Sequence, residues 1–494
     1  MSTTTALRQY ELYIDGRSAP SATGETFASI NPTTGEPWYS AALAGPDDVA
    51  RAVAAARKAL SNPAWRDISQ TQRGAMLRRF ADLMAANAEE LAQAEVLDTG
   101  KLIREMRGQM ARLPEWYHYY AGLADKILGD VIPNSPTILN YGLREPVGVC
   151  AGIIGWNSPL LLATRKICPA LTMGNTLVLK PSEHTSASLL ELMPLFEEAG
   201  FPAGVINVVT GPGSTGAALA EHPDIDKISF TGGPDTGAKI AAAAARNHVR
   251  VSLELGGKSP QIVFGDTKPE DVAVGLVAGI FAATGQTCVA GSRALIHASI
   301  YDDVLGHVVE RAERIKMGDP LDTATEMGPI AFQAQLDKVE RLVNAGKAEG
   351  AQLLTGGGRP PGLGGYFFEP TVFTYVDAEM TIAREEVFGP VLAAMPFESE
   401  EDAIRAANDT NFGLAAGIWT RDIARAHRVA KAVNAGVVWI NTYRAISPTA
   451  PFGGFKSSGM GKEDGIESIY EYSRYKSVWV NLSDAPPADP FVVA

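Results

Sequence analysis

Val147-Gly148-Val149-Cys150-Ala151-Gly152-Ile153-Ile154-Gly155-Trp156-Asn157-Ser158-Pro159 passes from a continuous apolar run into a glycine and a polar turn. A short apolar run bounded by turn residues reads as a strand buried on both faces, the type found in parallel sheets. Residues 176–180, 205–210 and 227–231 repeat the pattern, with helical segments between them. Strands alternating with helices predict a doubly wound α/β sheet, which binds ligands at the carboxyl ends of its strands. After Pro260 a second alternating α/β unit begins, as expected of a 494-residue chain too long for one core.

The rest of the chain is arranged around these strands. Residues 10–45 alternate short strand-like runs with turn signals, and Asp47-Asp48 open an alanine-rich helix reaching Leu60. Longer amphipathic stretches, 70–96 and 102–124, read as helices whose charges form solvated faces, with nothing catalytic in them. Residues 125–146 read as an extended hairpin with unpaired edges, and the Tyr-, Val- and Trp-rich stretch 470–481 offers it a partner strand. The Ala-Pro-Pro tail after Ser483 reads as flexible. A net charge of -13 argues against nucleic acid or an anionic membrane as partner, because both call for basic patches. No apolar run reaches the ~18 residues of a membrane span, and residues 1–6 lack the basic and apolar regions of a leader. Three cysteines, Cys150, Cys168 and Cys288, and seven scattered histidines show no ligand spacing, so no metal is expected. An odd cysteine count suits a reducing, cytoplasmic setting.

Chemistry-bearing residues cluster where strands end. Asn157 either donates to a developing oxyanion or caps a turn. Lys180 and Glu183 suit ribose hydroxyls, the carboxylate repelling a 2′-phosphate; otherwise they are exposed turn charges. Gly211-Pro212-Gly213-Ser214-Thr215-Gly216 matches G-x-G-x-x-G, while Phe230-Thr231-Gly232-Gly233-Pro234 also leads from strand to helix near Ala238. Both compete for a pyrophosphate at a helix N-terminus, and pattern alone favours the first. Glu254 suits a general base if burial raises its pKa, and is otherwise a surface acid. Gly285-Gln286-Thr287-Cys288 sets a thiol between a predicted helix and a predicted strand, as a placed nucleophile or a small buried hydrophobe.

Glu254-Leu255-Gly256-Gly257-Lys258-Ser259-Pro260, then residues 285–288, then Glu385-Glu386-Val387-Phe388-Gly389-Pro390, in this order, resemble the aldehyde dehydrogenase superfamily. Further matches run from Tyr13-Ile14-Asp15-Gly16 to the C-terminal tail. The resemblance implies two doubly wound parallel-sheet domains, a Rossmann-like cofactor domain and a catalytic domain, plus a β oligomerisation arm. Residues 1–124 and 147–256 would bind NAD, 257–456 would carry catalysis, and 125–146 with 457–494 would form the arm and tail of a homodimer or homotetramer. It implies Cys288 as nucleophile, Glu254 as water-activating base, Asn157 as oxyanion donor, and Lys166 with Glu463 as a proton relay. The implied NAD contacts include Ile154, Gly155, Trp156, Lys180, Ser182, Glu183 and Gly213. They continue with Phe230, Thr231, Gly232, Gly233, Leu255, Gly256, Glu386 and Phe388, placing the pyrophosphate at the second of the competing helices.

Several positions depart from the family pattern. Gly155 stands where proline is common, Ser158 where an aromatic is usual and Gly233 where serine is frequent. Ala163-Thr164-Arg165-Lys166 is similar to the succinate-semialdehyde branch, whose arginine holds a distal carboxylate. With Arg444 opposite, and Ser158, Ile446 and Phe452 on the wall, the expected reaction is NAD-dependent oxidation of a carboxylated semialdehyde or lactol. ω-Carboxylated aldehydes should then outperform alkyl aldehydes, unless Arg165 turns outward or pairs with a structural acid. Two other functions compete. A coenzyme A-acylating branch commonly lacks the glutamate present here, and a non-catalytic relative would not be expected to retain Cys288, Asn157 and Glu254 together.

Overall fold

A computed structural model describes residues 7–486 and 489–491; the leader reading and part of the tail reading fall outside them. The apolar runs form strands as expected. Val149–Ile153 and Thr176–Lys180 are buried at every position and pair in parallel. Each such Val, Leu or Ile contributes about 1.5–3 kcal/mol by leaving water.

Five parallel strands make the centre of an eight-stranded sheet, in the order Arg250–Glu254, Lys227–Thr231, Val149–Ile153, Thr176–Lys180, Ile206–Val208. Chain progress along the sheet therefore reverses beside Val149–Ile153, which makes a crevice at the carboxyl ends there. Helices cover both faces: Leu160, Ile167 and Leu171 pack on one, Val49, Val53 and Leu219 on the other.

In a second, seven-stranded sheet Pro260–Val263 is flanked in parallel by Arg293–His297, the central strand, and Ala415–Trp419. Both faces of this sheet are also packed. Only residues 255–259 separate the carboxyl end of Arg250–Glu254 from the amino end of Pro260–Val263. The two sheets thus meet where the most informative sequence motif lies.

Three local readings need revision. The 70–96 helix is two, Gln70–Ala86 and Ala88–Thr99, because the Asn87 amide donates to the Leu83 carbonyl and ends the first. The helix near Ala238 begins earlier, at Pro234, whose fixed φ and missing N–H suit a first turn. Gly459–Met460, grouped by sequence with the arm, instead pairs antiparallel with Arg250–Glu254 at the edge of the eight-stranded sheet. The extended hairpin does find its partner: Ser473–Asn481 pairs antiparallel with Ile138–Pro146 along its whole length. Among the described residues no helix is long and apolar enough to cross a membrane, and no metal-ligand cluster occurs.

Candidate active site

At the strand-order reversal lies a cavity of about 760 Å³. Ile154, Gly155 and Trp156 line it from the end of one strand, Phe230, Thr231, Gly232 and Gly233 from the end of the next, with Lys180, Ser182, Glu183 and Gly213 completing the wall. Gly213–Glu221 and Pro234–Arg246 both begin here, and neither has a side-chain cap. Their first amides are therefore free for an anion. Lys180 Nζ lies 3.5 Å and Ser182 Oγ 3.4 Å from Glu183 Oε2. Burial pushes the Glu183 carboxyl up, but Lys180 and a backbone amide outweigh it and hold it below its usual range. It is an ionised acceptor. Trp156 meets Phe388 and Phe332 edge-on at 5.1 Å, carrying an aromatic wall toward the second sheet.

Leu255, Gly256, Glu386 and Phe388 do not line that cavity. Leu255 packs into the core against Gly237. Glu386 lies over the glycine pair, accepting from the Gly257 N–H at 2.7 Å. A side chain on Gly257 would come within 2.5 Å of the Cys288 carbonyl oxygen, so glycine there lets the motif and the Cys288 turn touch.

Cys288 follows a strained turn. Ala283, Thr284 and Gly285 have φ of 54°, 56° and 68°, three left-handed residues in succession. For the two non-glycine residues this costs on the order of 1–3 kcal/mol each. Tertiary hydrogen bonds offset it: Ala283 N–H to Glu105 Oε1 at 3.1 Å, Thr284 Oγ1 to the Gly328 carbonyl at 3.1 Å, and Gln286 Nε2 to the Pro329 carbonyl at 3.1 Å. Asn157 Nδ2 donates to the Gln286 carbonyl at 3.1 Å, which fixes the amide and leaves its second N–H free. Burial pushes the Cys288 thiol up to about 12, Arg165 pulling it down and Glu254 pushing it further up. At rest it is a thiol that needs a base.

Glu254 is close enough for its charge to act on that thiol. It is buried, its Oε2 has no partner among the described residues, and burial plus the neighbouring Glu463 hold it well above the usual carboxylate range. Gly453, at φ 151°, makes room for it: a Cβ there would lie 2.6 Å from Glu254 Oε1. Glu463 accepts from Lys166 Nζ at 2.5 Å, and Lys166 also donates to Thr231 Oγ1 at 2.7 Å.

A second cavity of about 440 Å³ holds Cys288 and Asn157 with Ser158, Arg165, Arg444, Ile446 and Phe452, bringing all the proposed substrate residues to one wall. Cys288 thus lines a cavity separate from the one at the strand-order reversal. Residues 19–478 match the model of the "Aldehyde dehydrogenase family". The chain belongs to the aldehyde dehydrogenase family. It is 47% identical, over 99% of its length and all of the relative's, to (Z)-2-((N-methylformamido)methylene)-5-hydroxybutyrolactone dehydrogenase of Acinetobacter baylyi. It is 44% identical over 96% of its length, and 98% of the relative's, to betaine aldehyde dehydrogenase of Bacillus subtilis. A solved NAD+ complex of aldehyde dehydrogenase from Bacillus cereus superposes with a TM-score of 0.95 at 43% identity, covering 96% of this chain and 97% of that one.

This aldehyde dehydrogenase departs from the sequence reading in its substrate cavity. Glu105, Arg112 and Trp116, from the stretch read as having solvated charges, line it, as does Lys101 just before that stretch. Helical periodicity identifies a polar face but not what that face meets. Arg165 is the second departure. Its guanidinium lies 3.0 Å from Asp464 and 4.3 Å above the Phe452 ring, so it is committed to a buried partner, the structural-acid alternative. Arg444, at φ 63°, makes no ion pair among the described residues.

Proposed function

We propose that this aldehyde dehydrogenase oxidises an aldehyde to its acid through a Cys288 thioester, with NAD as hydride acceptor. Cys288 and Asn157 on one cavity wall, with a buried and unpaired Glu254 beside them, support this most directly. The larger cavity fits NAD: uncapped helix amides suit a pyrophosphate, and Lys180 with an ionised Glu183 suits an unphosphorylated ribose. When bound, NAD supplies the acceptor for the hydride. Glu254 takes the Cys288 proton, and the sulfur bonds to the carbonyl carbon. The free Asn157 N–H and the Cys288 backbone N–H hold the resulting oxyanion. After hydride loss, Glu254 takes a proton from water as it attacks the thioester; the C–S bond breaks and the acid leaves. Lys166 and Glu463 carry the thiol's proton away from Glu254 before that second transfer, and the released Cys288 thiolate takes a proton back as the cycle closes.

A carboxylated semialdehyde, or its lactol, is the substrate class proposed. The Acinetobacter relative's name supports it, since a 5-hydroxylactone is the ring-closed form of a 4-oxo acid. Unpaired Arg444 supports it as well, while Arg165, tied to Asp464, shapes the wall. Residues 1–124 and 147–256 bind the cofactor in this reading, 257–456 carry the nucleophile, and 125–146, with the strand 473–481 from the 457–494 segment, form the arm of a homodimer or homotetramer. Exposed Val131 and Trp479 on that arm favour such an assembly, and three unpaired cysteines suit the cytoplasm. Purified protein incubated with aldehyde and NAD, with and without coenzyme A, tests the reaction. NADH and free acid without coenzyme A are expected; NADH only with it would indicate acyl transfer, and none in either case a non-catalytic relative.

A further inference from the structure

Lys101 is only 6% exposed, yet it lines the cavity that holds Cys288. No carboxylate among the described residues comes within ion-pair distance of it; its hydrogen-bond partner is Ser158 Oγ, at 2.5 Å. A buried ammonium with one neutral partner and two spare donors is expensive unless a ligand completes it. An ammonium can only donate, so Ser158 Oγ must be the acceptor and its own proton is left free. No protein acceptor takes that proton among the described residues. The pair therefore presents donors only. Burial lowers the Lys101 pKa, and the charges of Glu95 and Glu105 only partly offset it.

Ser158 directly follows Asn157, the residue proposed for the oxyanion, and consecutive Cα atoms are ~3.8 Å apart. Whatever the pair holds must lie a few bonds from the reacting carbon. We propose that Lys101 and Ser158 select short aldehydes bearing an acceptor oxygen, a carboxylate or ring carbonyl, two or three carbons from the aldehyde. This rests on reading the Cys288 cavity as the aldehyde site. Lys101 replaces Arg165 as the principal reader of the substrate's far end: Arg165 is tied to Asp464, whereas Lys101, like Arg444, makes no ion pair among the described residues.

Kinetics on 4-oxobutanoate and butanal, aldehydes of equal length, test it. The parent should favour 4-oxobutanoate in kcat/KM by at least tenfold. Lys101→Met should cut that preference at least tenfold, mainly through KM, and Lys101→Arg should retain most of it. Ser158→Ala should cut it at least threefold and carries the test if Lys101→Met does not fold. A parent that prefers butanal, or variants that lose both substrates equally, would overturn the inference while leaving aldehyde oxidation standing. A parent that oxidises neither would sink the functional reading instead. Binding is then still decidable. Succinate should slow iodoacetamide alkylation of Cys288 in the parent, and Lys101→Met should need at least tenfold more of it. Equal protection in both proteins, or none in the parent, overturns the inference.

Discussion

The two cavities of this enzyme are built by different means. The cofactor cavity is largely backbone: two strand ends, two uncapped helix starts and the glycines between them. The substrate cavity is largely side chain, gathered from residues 101–116, 157–165, 283–289 and 444–452. Topology dictates the first, since the strand order reverses there whatever the side chains are. The second depends on which side chains meet across long sequence separations. Changes in the substrate cavity should therefore redirect or abolish chemistry, whereas changes in the cofactor cavity should tune preference.

The sharpest break in that comparison is Cys288→Ala. NADH formation should fall by more than about a thousandfold, as for loss of other enzymatic nucleophiles, while NAD binding stays nearly intact. Stopped assays and NAD titration by calorimetry check both halves. Turnover within tenfold of the parent would remove the covalent route.

The same division explains what the sequence disclosed. The strand end at Ile153 was legible because burial on both faces leaves an unbroken apolar run. Pattern alone favours the first of the competing glycine loops, but physically neither excludes the other, since Gly213 and Gly233 line one cavity. Lys101 was not legible. Nothing local shows that a residue after Gly100 reaches Ser158, which is 57 positions away. The one available signal was Ser158 itself, because removing an aromatic vacates volume that another side chain must fill. Arg165 was legible as a buried cation, but its Asp464 partner comes from a separate segment, held at φ 57°.

Glu254→Gln should impair deacylation by ~10²–10⁴-fold, the usual worth of a general base. Because Glu254 also takes the Cys288 proton in the proposed route, the burst of NADH should slow as well as the steady state. Because Glu254 is held well above the usual carboxylate range, its base form grows in as pH rises. Parent deacylation should climb with pH through that raised value, and the Gln variant should lose that dependence. Rapid mixing that shows the burst lost but the steady state untouched would mean the role is misassigned.

Arg165→Ala tests whether that side chain is wall or clamp. Removing one partner of a buried pair typically costs ~3–5 kcal/mol, because the other charge is stranded. Asp464 is already pushed up to about 6, burial outweighing the pull of Arg165, and without the arginine it rises further. A raised folded-state pKa gives stability that is full below the unfolded value and lost as pH rises through the folded one. The drop in Tm should therefore be larger at pH 8 than at pH 5. Rates on 4-oxobutanoate and butanal should fall together, and replacing Arg165 and Asp464 by Met and Leu should recover most of the Tm. A KM increase confined to 4-oxobutanoate, with Tm unchanged, would restore the clamp.

The smallest effect belongs to the backbone-built cavity and concerns one carboxylate within it. Glu183 accepts from ribose hydroxyls in the proposed complex and repels a 2′-phosphate, so the parent should prefer NAD to NADP. Lys239 and Arg246 line the same cavity, Arg246 bound to Glu221 at 2.9 Å, so cations lie nearby once the repulsion is gone. Glu183→Gln should shift the ratio of kcat/KM values toward NADP by about 1–3 kcal/mol, roughly 5- to 150-fold, the size of a charge-assisted contact. Because Gln keeps the shape, kcat with saturating NAD should change little, which separates a preference from a structural loss. Equal efficiency with both cofactors in the parent would show that Glu183 does not face the ribose. Specificity in this cavity would then rest on its backbone, and the contrast with the substrate cavity would be complete.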